Sequence, residues 1–92
     1  VDGSDLQQAL TDAFEGELAT ARVVARQARD LADSGRFAES FGRELTVDTV
    51  ISNLEDAPEE FTLVERWNWW VGSMELSHGG YEQFRIREGA VR

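Results

Sequence analysis

Apolar positions recur at helical spacing through most of this chain. From Leu6 to Ala32 the stripe takes Leu6, Leu10, Ala13, Phe14, Leu18, Ala21, Val24, Ala25, Ala28, Leu31 and Ala32. Asp12, Glu15, Arg22, Arg26 and Arg29 lie mostly off it. The spacing predicts one long helix over Leu6–Ala32, capped by Ser4 or Asp5 and ended at Ser34 and Gly35. Gly16 is an interior weak point of about 1 kcal/mol relative to alanine. The alanines of the second half predict close packing on a neighbour.

A second stretch, Phe61–His78 (FTLVERWNWWVGSMELSH), carries all three tryptophans and the only methionine. Wound as a helix, it puts Leu63, Val64, Trp67, Trp70, Val71, Met74 and His78 on one side and leaves Trp69 and Leu76 outside it. Read as a strand, its alternation is broken by Glu65 and Ser73. Between the two long segments, Phe37 and Phe41 share a face of a short helical turn within Arg36–Glu44, closed by Gly42. Thr46 then caps a helix from Val47 to about Asp56, for which a strand is the alternative because three of its apolar residues are β-branched. Pro58, Glu59 and Glu60 suit the first turn of the Trp-rich helix. Gly79 and Gly80 end it, and Tyr81–Arg87 is expected to be extended, a strand or an arm laid over the helices. The fold class is therefore mainly α. It is a small single-domain helical bundle over residues 1–92, built on two long antiparallel helices, with one or two shorter helices, an extended C-terminal arm and fraying ends.

Composition narrows the functions. At 92 residues the chain buries only about two-thirds of its unfolded surface, so a partner subunit would help it. Cysteine is absent, which excludes disulfides, thiolate metal sites and cysteine nucleophiles. The 18 acidic residues face 9 basic ones for a net charge of −9, and every basic residue is arginine. A lysine-free acidic surface resembles the proteins of extreme halophiles, in which carboxylates keep the chain hydrated in concentrated salt. The arginines are dispersed among acids, so no direct nucleic-acid binding is expected. No apolar run approaches the roughly 20 residues that span a bilayer, so no membrane partner is expected and the cytoplasm is the default location.

Little catalytic material is present. One histidine and no Gly-x-Ser-x-Gly leave no nucleophilic triad, and no glycine-rich loop is set to cradle a phosphate. No cofactor is expected. One constellation could bind metal: Glu75 and His78 form Glu-x-x-His on the Trp-rich helix, and Glu17 interrupts the first stripe. A glutamate from one helix and Glu-x-x-His from another make half the ligand set of a ferritin-like di-metal site, which a two-fold dimer could complete. In the structural alternative His78 favours the negative end of the helix dipole and Glu17 reaches solvent or an arginine. The expected function is non-catalytic: self-association as a homodimer, or binding of a protein partner. Trp69 and Leu76, with Trp70 and the Phe37–Phe41 turn, form the interface.

The run SHGGYEQF, Ser77–Phe84, resembles the Asn-Gly-Gly-aromatic-x-Gln-aromatic motif of an acidic helical family that includes a DNA-mimic protein. His78 stands where that family has asparagine. The resemblance implies a dimer whose carboxylates occupy the basic groove of a nucleic-acid-binding protein.

Overall fold

The computed structural model describes residues 2–14 and 18–87, which form five α-helices and a C-terminal 3-10 turn without any strand. Helix α1, Gly3–Ala13, starts where the Asp2 carboxylate accepts from the backbone N–H groups of Ser4 (2.8 Å) and Asp5 (3.3 Å). The cap thus stands ahead of the expected Ser4 or Asp5. At Phe14 the backbone turns extended (φ −130°, ψ 137°), and α2 runs over Leu18–Asp33. The expected single helix is therefore two. Wound continuously, Leu6–Ala32 would be about 40 Å long, which exceeds the molecule's largest extent of 31 Å. The break folds the stripe back on itself. Leu6 and Leu10 of α1 and Ala21, Val24, Ala25, Ala28 and Leu31 of α2 are all buried, and Gly3 at the start of α1 lies beside Arg29 near the end of α2.

Helix α3, Arg36–Phe41, lies between Gly35 and Gly42 as its composition predicts. Helix α4, Val47–Glu55, is capped by Thr46, whose hydroxyl accepts from the Thr49 N–H, and tertiary burial of Val50 and Leu54 overrides the β-branched bias toward strand. Helix α5, Leu63–His78, begins later than expected. Thr62 and Glu65 make a capping box, Thr62 N–H to Glu65 Oε1 at 2.8 Å and Glu65 N–H to Thr62 Oγ1 at 3.2 Å. Pro58 belongs instead to a turn closed by Phe61 N–H donating to its carbonyl.

Arg66 ties this connection together. Its guanidinium donates to the carbonyls of Leu54 (2.9 Å), Glu59 (3.1 Å) and Phe61 (3.2 Å), and lies 5.0 Å from the Phe14 ring centroid. The first turn of α5 is thereby fixed near the chain just before α2. Beyond the other end of α5, the Tyr81 hydroxyl donates to the carbonyl of Arg36, just after α2. Like ends meet, so α5 runs in the same general sense as α2, and the antiparallel neighbour of α2 is α1. The two long antiparallel helices of the expected bundle are in this respect corrected. Trp67 meets Trp70 edge to face at 5.6 Å, and Trp70 meets Phe37 at 6.2 Å. No helix is long and apolar enough to cross a membrane among the described residues.

Candidate interaction surface

Four consecutive residues of a helix point in four directions about 100° apart, and α5 uses each at Trp67-Asn68-Trp69-Trp70. Trp67 is fully buried and donates its indole N–H to the Phe84 carbonyl at 2.8 Å. Asn68 faces the C-terminal arm: its Nδ2 donates to the Ile86 carbonyl and its Oδ1 accepts from the Ile86 N–H, both at 2.8 Å. The arm itself is a 3-10 turn, Glu82–Phe84, followed by backbone that is extended at Arg85. Tyr81, Phe84 and Ile86 are buried beneath it. The segment expected to need a strand partner finds one in an asparagine side chain, which presents the donor and acceptor a neighbouring strand would. Trp70 is buried in the core, and Trp69 remains 37% exposed.

The arm is also held at its root. Glu75 accepts from the N–H groups of Gly80 (3.0 Å, Oε2), Tyr81 and Glu82 (both 3.1 Å, Oε1). Desolvation pushes its carboxyl up, but those three N–H groups and the Arg36 guanidinium outweigh it and hold the carboxyl below its ordinary value. Gly80 takes φ +85°, which favours glycine, and a Cβ there would also displace the Arg36 guanidinium. A folded-state pKa below the unfolded one gives stability that is present above the unfolded value, about 4.3, and is lost as pH falls through the folded value. Glu75→Gln is expected to loosen the arm at neutral pH and to flatten the acid limb of stability. Amide exchange of Gly80, Tyr81 and Glu82 followed from pH 7 to pH 3 checks it; identical profiles in both proteins would refute the role.

The metal reading draws on the same residues. Both Glu75 oxygens are committed to backbone N–H groups. His78 is exposed, with Nδ1 2.8 Å from the Ser77 hydroxyl and its ring 4.6 Å from that of Phe41. Glu17 lies outside the described residues. Among those described, no three His, Cys, Asp or Glu side chains are grouped to hold a metal ion.

Of the expected interface residues, Trp70 and Phe37 are buried within the chain and cannot meet a partner without unfolding it. Both fill the core because Trp70 lies on the same face as Trp67 and Met74. Phe41 is 40% exposed and packs 4.6 Å from Phe37. Trp69 and Leu76, the latter 92% exposed, stand on the outer face of α5 as expected. Between them Gly72 and Ser73 form the floor of an open groove of about 500 Å³, with Asn68, Glu75, Glu82 and Arg85 along its side. Arg85 pairs with Glu82 at 2.9 Å. The one-sided exposure of Trp69 and Leu76 was legible in the helical wheel; the clamp roles of Asn68 and Glu75 depend on contacts made across the Gly79–Gly80 turn.

Comparison with curated proteins and with solved structures finds no significant match. Comparison with protein families finds a match to the WNWW domain over residues 1–75. The matched span includes α1 to α4 and most of α5, with the Trp67-Asn68-Trp69-Trp70 run whose four letters the family's description repeats. The chain belongs to the WNWW domain family.

Proposed function

We propose that this WNWW domain is a non-catalytic interaction module whose working surface is the outer face of α5, and that it self-associates through that face. The supporting observation is the pair Trp69 and Leu76. They stand seven residues apart, exposed, on a helix whose remaining large apolar residues are buried or half-buried. Tryptophan brings a large apolar area at small entropic cost, which suits it to anchor an interface. The floor between the two carries no charge, and the acids at its side are engaged, Glu75 by backbone N–H groups and Glu82 by Arg85. An apolar strip free of unpaired carboxylates is where a chain of net charge −9 can meet its own copy.

Equilibrium sedimentation tests the proposal. The wild type is expected to dimerise at micromolar concentration, and Trp69→Ala to weaken the dimer by about 2 kcal/mol, roughly 30-fold in Kd. Because the copies repel at long range, the dimer should tighten from dilute buffer to molar salt. Binding to a basic protein, as an acidic mimic would show, weakens over the same range. A wild type that is monomeric at all salt concentrations sinks self-association.

A further inference from the structure

We infer that the partner on the outer face of α5 is a second copy of the same helix, crossing antiparallel on a two-fold axis that passes between Gly72 and Ser73. The inference rests on the self-association reading and specifies its geometry.

Gly72 is the first observation. It sits inside a 16-residue helix, where glycine is disfavoured, yet nothing among the described residues requires it. A Cβ added there would meet only Arg85 Nη2, at an ordinary contact distance of 3.5 Å, and its φ is not positive. Glycine at that point is explained by close approach from outside.

The second observation is the symmetry of the face about that point. Trp69 lies three residues before Gly72 and Leu76 three residues after Ser73. An antiparallel two-fold centred between Gly72 and Ser73 sets Trp69 of each copy against the partner's Leu76. Ser73 then lies beside the partner's Ser73, and Gly72 beside the partner's Gly72. A bulky residue meets an exposed one at each end, and small residues meet at the crossing.

The charges at the rim of the groove and the area of the face suit this occupant, although the copies repel at long range. The Glu82–Arg85 pair borders the groove on the Gly72 side. An axis in the plane of the interface brings both arms to that side, so Arg85 of each copy can meet the partner's Glu82 and the rim charges alternate. A helix of 16 residues presents a strip about 24 Å long, close to the molecule's width of 22 Å. Such a strip offers on the order of 500 Å² per copy, at the low end of specific interfaces.

The chain has no cysteine, so single cysteine variants report the crossing directly. Ser73→Cys should oxidise to a covalent dimer, because the two Cα atoms near the axis come within the 4.4–6.8 Å range that a disulfide spans. Leu76→Cys should not, because its two copies lie about 10 Å apart along the helix. Gly72→Ala should weaken the dimer on the order of tenfold by overpacking the crossing, without lowering the melting temperature of the monomer. A parallel pair would cross-link through Leu76→Cys and overturns the inference. A dimer that responds to Trp69→Ala but neither cross-links at Ser73→Cys nor responds to Gly72→Ala overturns the crossing and leaves the interaction reading standing. A monomeric wild type removes both.

Discussion

Trp67→Ala is expected to leave little or no stable fold. Truncating a fully buried tryptophan costs about 3–5 kcal/mol, and a domain of this size has about 5–14 kcal/mol in all. Trp67 is also more than volume, since its indole N–H serves the buried end of the arm at the Phe84 carbonyl. Trp67→Phe separates the two contributions. It keeps an aromatic ring beside Trp70 in the core but leaves the Phe84 carbonyl without its donor, at about 1–3 kcal/mol. Urea titration followed by circular dichroism should rank wild type above Trp67→Phe, and Trp67→Phe above Trp67→Ala. An alanine variant that melts within a few degrees of wild type would mean that the core is centred elsewhere.

What could be read from the residue order, and what could not, divides along the range of the interactions. The faces of the helices were legible: Leu6, Leu10, Ala21, Val24, Ala28, Leu31, Val50, Leu54, Trp67, Trp70 and Met74 are buried where the period of 3.6 placed them. So was the exposure of Trp69 and Leu76. The break after Ala13 was not, because Leu10, Phe14, Leu18 and Ala21 keep helical spacing across it and the stripe carries no mark of interruption except Gly16. Periodicity records which residues must be buried; it does not record whether they are buried by the same straight helix. The Thr62-x-x-Glu65 box was present as a local signal and outranks Pro58 as the start of α5, since it satisfies two backbone N–H groups where proline only omits one. His78 fell on the apolar side of the wheel, yet in the last turn of α5 it stays exposed beside the Phe41 ring. The carboxylate that looked like a metal ligand is a backbone anchor for the same reason that Asn68 is a clamp. Each acts on residues that a Gly-Gly turn returns to the helix, and no spacing rule gives the path of that turn.

Asn68→Ala is expected to detach the arm while leaving the helices folded. The variant removes the side chain that partners both the Ile86 N–H and its carbonyl among the described residues. Leaving a buried donor or acceptor unmade costs about 1–3 kcal/mol each, so the segment gains more by lifting into water than by staying. Phe84 and Ile86 then leave the core they share with Trp67, and the α5 groove loses the wall that holds Arg85. Asn68→Asp is a sharper probe. It retains an acceptor for the Ile86 N–H but sets a carboxylate against the Ile86 carbonyl, where an amide donor stood, so it too should release the arm at neutral pH and hold it better when protonated. Trypsin reports the outcome through the exposed Arg85, which lies between the Phe84 and Ile86 anchors, and through Arg87, which follows the second of them. Cleavage there should be slow in wild type and fast in both variants, with the Ile86 amide losing its protection from exchange. The dimer should weaken in parallel, because the Glu82–Arg85 rim moves with the arm. If the Ile86 amide exchanges as quickly in wild type as in Asn68→Ala, the clamp contributes nothing and the arm is held by Glu75 and Trp67 alone.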